Sequence, residues 1–316
     1  VKILEAEQVD RALDFPSLID AIEAGFRDDF GMPPRQVFQL AGKDASSHDG
    51  FALLPAWNDT LIGVKAFTYF PDNEAAGFAS LYSKILLFDR SHGVPLALVD
   101  GTAVTYWRTA AVSALAARLL SRPDSASLLL LGTGRLASFL VAAHLAVRDL
   151  QRVFLWGRDA VKVLALQPRL QAAHPAVEFV CAQDLAQCAG AADIIVSATG
   201  AATPLLFDAW VKPGCHVDLL GNHSPDRREC DSALVAGSAV YVDNRDNVLR
   251  EAGELLIPIA EGVFSADAIR GELKDLCRAG PAGRDSPDQI TLFKSVGTAL
   301  SDLIAAQLVL KNTEAD

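Results

Sequence analysis

Basic residues are scarce in this chain of 316 residues: 28 Lys and Arg stand against 39 Asp and Glu, a formal net charge of −11. A surface of that sign repels polyphosphate and anionic lipid. It excludes general nucleic-acid or membrane-surface binding and obliges any anionic ligand to meet a local basic cluster. Long apolar runs are missing as well. Mean hydropathy is +0.23, yet the most apolar stretches, Leu128 to Leu131 and Leu136 to Val147, fall short of the roughly 20 residues that a spanning helix needs. The opening residues Val1-Lys2-Ile3-Leu4-Glu5 lack the apolar core of a secretory signal, so a cytoplasmic protein is expected. Cysteine pairs are absent too. Cys181, Cys188, Cys215, Cys230 and Cys277 are odd in number and contain no C-x-x-C, which predicts reduced structural thiols, no disulfide framework and no metal site.

What is present is an ordinary globular composition, 51% hydrophobic and 21% charged, at a length that predicts about two domains. Leu18, Ile19, Ile22 and Phe26 recur at helical spacing and predict a helix from Pro16 to Phe30, with Gly31 placed to stop it. From Phe51 to Val99, strand-length runs separated by Asn58-Asp59, Pro71-Asp72-Asn73 and Ser91-His92-Gly93 predict a mostly antiparallel sheet. An Ala-rich helix follows over Thr109 to Leu120, and Ser121-Arg122-Pro123-Asp124 marks a boundary.

Beyond Asp124 the rhythm becomes strand then helix. The strands are expected at Leu128–Leu131, Val153–Trp156, Glu178–Cys181, Ile194–Val196, His216–Leu220 and Ala239–Val242. Short apolar strands alternating with helices predict a doubly wound parallel sheet, so the fold class is α/β with a second, mixed α+β part. Ser286-Pro287-Asp288-Gln289 has the form of a capping box and predicts a last helix over Pro287 to Leu310, with Lys311 to Asp316 as a frayed tail.

Gly132-Thr133-Gly134-Arg135-Leu136-Ala137 directly follows the Leu128 strand and opens a helix. Glycines at the first and third positions let the backbone turn and approach a pyrophosphate, the helix N-terminus supplies N–H donors, and Ala137 permits close packing. Gly132, Gly134, Arg135 and Ala137 are therefore candidate dinucleotide-binding residues. At the end of the second strand an acidic side chain suits the ribose of NAD, whereas Arg suits the 2′-phosphate of NADP. The first charged residue after Trp156 is Arg158, which favours NADP(H); with Asp159 on the ribose instead, NAD(H) is possible.

Arg35, Lys65 and Arg108 lie in or beside apolar segments of the first half. Lys65, inside a strand, faces either water or a pocket. If the three converge they form a carboxylate clamp, since Arg forks bind carboxylates bidentately.

Gly63-Val64-Lys65, Asp100-Gly101-Thr102, Arg108-Thr109-Ala110-Ala111, the Gly132 motif, Pro225-Asp226-x-Arg228-Glu229 and Lys294-Ser295-Val296-Gly297-Thr298-Ala299-x-x-Asp302 together resemble the ornithine cyclodeaminase/mu-crystallin family, in the right order over nearly the whole chain. The resemblance implies a Rossmann-type dinucleotide-binding domain over residues 124–286. It implies a second domain for substrate binding and dimerisation from residues 1–123 and 287–316, and a homodimer. It matches Arg35, Lys65 and Arg108 to substrate carboxylate binding, and Thr109, Thr199, Asp218, Gly221 and Ser295 to the cofactor side.

Ornithine cyclodeaminases of the family carry an Asp in a Gly-x-Asp-x-Pro-Gly stretch, where this chain has Gly221-Asn222-His223-Ser224-Pro225. That departure, with Leu292 to Ala299, resembles the ketimine (Δ1-pyrroline-2-carboxylate) reductases of the family. The activity it implies is NAD(P)H-dependent reduction of a small cyclic imino acid, with His223 or Lys65 as the proton donor. The alternatives are ornithine cyclodeamination with bound NAD and a binding role like that of mu-crystallin.

Overall fold

Alternation of buried and half-buried residues along residues 50–100 builds the first of two sheets. The structure is a computed structural model that describes residues 1–40, 49–280 and 283–314. The chain divides into two compact units, one of residues 1–111 with 298–316, the other of residues 112–297.

The first unit holds strands β1 (Lys2–Leu4), β2 (Gln36–Gln39), β3 (Gly50–Trp57), β4 (Leu61–Tyr69), β5 (Leu81–Asp89) and β6 (Pro95–Asp100), in the sheet order β1-β6-β5-β4-β3-β2. All pairs are antiparallel except β1 with β6. In β4 the buried face is Leu61, Gly63 and Lys65, so the period of two turns the lysine inward with its apolar neighbours. Lys65 pairs across the sheet with Leu54 and Ile85.

Two helices cover this face. Phe15–Arg27 is capped by Asp14, which accepts from the Ser17 N–H at 2.9 Å, and buries Leu18, Ile19, Ile22 and Phe26. It ends three residues before the expected Phe30. Gly31 is not its stop; it pairs with Trp57, against whose ring a Cβ would lie at 1.9 Å. The second helix, Ala299–Asn312, buries residues on nearly every side, Asp302 among them. It lies so close to β4 that a Cβ on Gly63 would stand 2.7 Å from Leu303.

The second unit is an eight-stranded, wholly parallel sheet of β7 (Ser127–Leu131), β8 (Arg152–Trp156), β9 (Glu178–Cys181), β10 (Ile194–Ser197), β11 (His216–Leu219), β12 (Ala239–Val242), β13 (Gly271–Glu272) and β14 (Thr291–Lys294). Its order is β13-β12-β14-β11-β10-β7-β8-β9. From β7 the chain winds outward through β8 and β9, then returns to place β10 on the other side of β7. Such a reversal opens a crevice at the carboxyl ends of the strands, where doubly wound sheets bind ligands.

Three expectations are corrected. Residues 291–294 are not the start of the last helix but β14, inserted between β11 and β12; the helix begins at Ala299 behind the Thr298 cap, after Gly297 at φ +86°. A short buried apolar run fits strand or helix equally, and Ser286-Pro287 biased it the wrong way. Lys311 and Asn312 are helical rather than frayed. The Ala-rich helix starts at Gly101, not Thr109, with Asp100 accepting from the Ala103 N–H at 2.8 Å. The two compact units divide at 111/112 and 297/298. Among the described residues no helix is long and apolar enough to cross a membrane.

Candidate active site

In the first unit, β4 and the helices Gly101–Leu120 and Ala299–Asn312 bring Lys65, Arg108 and Asp302 together. Lys65 Nζ donates to Thr105 Oγ1 at 2.6 Å and to Asp302 Oδ1 at 3.0 Å, and Arg108 Nε donates to the same oxygen at 3.0 Å. Lys65, Arg108 and Asp302 are 4%, 9% and 1% exposed. Two cations share one carboxylate oxygen in a place water barely reaches. Asp302 Oδ2 is buried with no partner. Burial pushes the Lys65 ammonium down to about 8; Asp302 opposes that shift, while the charges of Arg108 and Arg35 add to it. The charge of Arg35, half-buried in the segment before β2, reaches Lys65 as well. Lys65 therefore faces Thr105 and Asp302 rather than water, and Arg108 meets it at the same carboxylate. Such a set can bind a carboxylate and hold a proton that is exchangeable near neutral pH.

In the second unit, Gly132 has φ +120°, and a Cβ there would lie 2.6 Å from the Ala198 carbonyl oxygen. Only glycine suits that turn. Nothing lies within 4 Å of the Cβ position of Gly134, so the backbone is open to a phosphate there. Arg135 is exposed at the head of the helix Leu136–Leu145, and Ala137 is buried beneath it. A cleft of about 550 Å³ runs from Gly132 past Trp156, Arg158 and Asp159 to Thr199. Asp159 caps the helix Ala160–Ala173, its Oδ1 accepting from Val161 N–H at 2.9 Å, which leaves Arg158 and Lys162 as the cations of that wall. The glycine turn, the open approach and the cleft fit a dinucleotide.

Thr199 and Gly221 are both held by Glu229. Its Oε1 accepts from Ser197 Oγ at 2.6 Å and from Thr199 N and Oγ1 at 2.7 Å, and its Oε2 accepts from Gly221 N at 2.8 Å. Fully buried Lys294 pairs with Glu254 at 3.0 Å and donates to the Asn222 carbonyl oxygen at 2.9 Å. Asp218, fully buried in β11, accepts from Ser113 and has its other oxygen unpartnered; burial raises its pKa to about 7. Buried Ser295 donates its N–H to Leu219 O at 3.2 Å. His223 is exposed in the loop after β11, and half-buried Thr109 follows Arg108 in its helix. Among the described residues no cluster of His, Cys, Asp or Glu suits a metal.

Sequence reasoning assigned no role to Asp302, Thr105, Glu229, Glu254 or Lys294. For Asp302 a signal existed: one charge in the otherwise uncharged, mostly apolar Ala299 to Leu310 run, which a buried helix keeps only for a partner.

The sequence pattern of the ornithine cyclodeaminase/mu-crystallin family matches residues 1–316. The chain is similar to the Delta(1)-pyrroline-2-carboxylate reductase of Colwellia psychrerythraea, 54% identical over 312 residues that cover 98% of this chain and 99% of that one. Among solved structures it is similar to Thermococcus litoralis Delta(1)-pyrroline-2-carboxylate reductase in complex with NADH and L-proline, at TM-score 0.93 and 27% identity, covering 100% of this chain and 98% of that one. It is likewise similar to the iminosuccinate reductase of Paracoccus denitrificans in complex with NAD+, at TM-score 0.90 and 25% identity, covering 99% and 96%.

Proposed function

The chain belongs to the ornithine cyclodeaminase/mu-crystallin family, and we propose that it reduces cyclic imino acids, Δ1-pyrroline-2-carboxylate or its six-membered homologue, to the cyclic amino acids. The observation that carries this reading is the buried Lys65–Asp302–Arg108 cluster, in a chain so similar to a pyrroline-2-carboxylate reductase.

Arg108 and Arg35 hold the substrate carboxylate, with Lys65 beside them, because guanidinium forks match a planar carboxylate and the site's burial strengthens the attraction. The ring nitrogen must carry a proton, since an iminium accepts hydride far better than a neutral imine. Lys65, lowered to about 8, still holds a proton at neutral pH and releases it more readily than an ordinary lysine. His223 is the second candidate for that proton; as an exposed loop residue it has the weaker support.

NAD(P)H, when bound, supplies the hydride. Gly132, Gly134, Arg135 and Ala137 would hold its pyrophosphate at the helix N-terminus, and Thr109, Thr199, Gly221 and Ser295 would line its path, with Asp218 behind them. NADP(H) is favoured because Asp159 is committed to its helix cap while Arg158 lines the cleft; NAD(H) remains the second cofactor. A homodimer through the first unit fits the edge strand β2, whose Val37 and Phe38 are exposed.

The test is oxidation of NADPH and NADH by the purified protein with pyrroline-2-carboxylate and piperideine-2-carboxylate, with ornithine plus NAD as the control. Turnover of either imino acid supports the proposal. Ammonia release from ornithine at a comparable rate refutes it.

A further inference from the structure

A carboxylate inside a carboxylate-binding clamp is at first sight a defect. Asp302 is an anion bonded to both Lys65 and Arg108 at 3.0 Å, and like charge repels the substrate group those cations are read as receiving. On that count, removing Asp302 should tighten substrate binding. The surroundings of Lys65 argue the reverse.

Lys65 stands on β4 between Leu54 of β3 and Ile85 of β5, neither of which offers charge or hydrogen bond. The helix Gly101–Leu120 faces it with Thr105, a neutral acceptor, and with Arg108, a cation. The segment before β2 contributes Arg35, another cation. Among the described residues, the negative charge that acts on it most strongly is that of Asp302, from the helix Ala299–Asn312. Burial and two guanidinium groups all favour a neutral amine, and even with Asp302 in place they bring Lys65 down to about 8. Arg108 cannot escape in this way, because a guanidinium stays protonated in proteins.

We propose that Asp302 is the positioning residue of the clamp, an internal counter-ion that keeps Lys65 a cation and fixes the plane of Arg108, so that a substrate carboxylate binds at neutral pH because of this buried anion and not despite it. Asp302 acts through Lys65 and Arg108. Its own place is suited to a negative charge: it lies in the first turn of its helix, behind the Thr298 cap, where the helix dipole favours anions. Sharing Oδ1 between Lys65 Nζ and Arg108 Nε also ties two elements 237 and 194 residues away in sequence to one point. The inference rests on the clamp proposed above, and the readouts separate the two.

The experiment uses the full chain with Asp302→Asn and Asp302→Glu. Binding of pyrrole-2-carboxylate, a planar ring acid that accepts no hydride, is measured by calorimetry from acid to alkaline pH, beside kcat/KM for pyrroline-2-carboxylate. For Asp302→Asn, affinity near pH 8 is expected to fall by about tenfold or more, with the alkaline limb moved about one pH unit or more toward acid. Near pH 6, where Lys65 is again protonated, affinity should return to within about threefold of wild type, and NADPH affinity should hold throughout. Asp302→Glu keeps the charge but not the geometry; its alkaline limb should stay in place while KM rises.

Equal or tighter carboxylate binding by the Asn variant at alkaline pH overturns the inference, as does an equal loss at every pH. If the Asn variant does not fold, the Glu variant decides, and a wild-type KM there refutes the positioning role. A wild type that binds the ring acid but reduces no cyclic imine refutes the proposed function while the calorimetry still tests Asp302.

Discussion

Arg108→Ala separates the clamp from the rest of the protein most cleanly. Arg108 is 9% exposed and its Nε lies 3.0 Å from Asp302, so it works in a medium where charge interactions are weakly screened. Deleting one partner of a desolvated charge pair costs about 2 to 5 kcal/mol. At about 1.4 kcal/mol per tenfold change, that corresponds to a loss of roughly 30- to 5,000-fold in kcat/KM for the imino acid. Folding should suffer less. Asp302 keeps Lys65 at 3.0 Å, so the carboxylate left behind is not an orphan, and the cost to stability should fall near about 1 to 3 kcal/mol. Because the Arg108 charge depresses Lys65, its removal should also move the alkaline limb of activity to higher pH, opposite in sign to the effect of removing Asp302. The assay compares kcat/KM for pyrroline-2-carboxylate with that for 1-pyrroline, which has the imine but no carboxylate, together with NADPH affinity. Only the carboxylated substrate should respond. An equal loss with 1-pyrroline, or a collapse of NADPH affinity, would mean that Arg108 serves the fold or the cofactor.

Arg158→Asp should weaken NADPH far more than NADH, since it removes a partner for the 2′-phosphate and adds repulsion beside Asp159; equal loss in cofactor titrations counts against NADP(H). His223→Asp should slow imine reduction at neutral pH, and ammonia release from ornithine by the wild type should be little or none; substantial release by the wild type contradicts the reductase. Asp218→Asn bears on stability. The folded carboxyl titrates near 7, raised chiefly by burial, against about 3.9 in an unfolded chain, so the stability it contributes is complete below the lower value and lost as pH rises through about 7. The difference in Tm between variant and wild type should therefore grow in the variant's favour from about pH 5 to about pH 8. A constant difference refutes the assignment.

What could be read from the sequence was what depends on near neighbours. The apolar strand, glycine turn and helix around Gly132 lie within one short segment, and β7 to β12 emerge within a residue or so of their expected places. Residues 291–294 misled because a strand buried on both faces has no period to betray it. Lys65 stayed ambiguous for another reason: alternation says that it shares a face with Leu61 and Gly63, but only the distant helix carrying Asp302 makes that face a place for a cation. Glu229 was recognised as part of a motif without a task, since its task is to tie together Ser197, Thr199 and Gly221, up to 32 residues away.

The division of the first unit into residues 1–111 and 298–316 also sets an order of events during synthesis. Lys65 and Arg108 leave the ribosome long before Asp302, which is 194 residues behind Arg108. At about 5 to 20 residues per second that interval is roughly 10 to 40 s, ample time for the contiguous residues 112–297 to fold as a unit. Throughout it, the inner face of β3 to β5 lacks the helix that covers it, and two cations destined for burial have no counter-ion. The nascent chain therefore spends that interval with this sheet face uncovered, and the helix Ala299–Asn312 closes the core and brings the buried anion to Lys65 and Arg108 in a single step.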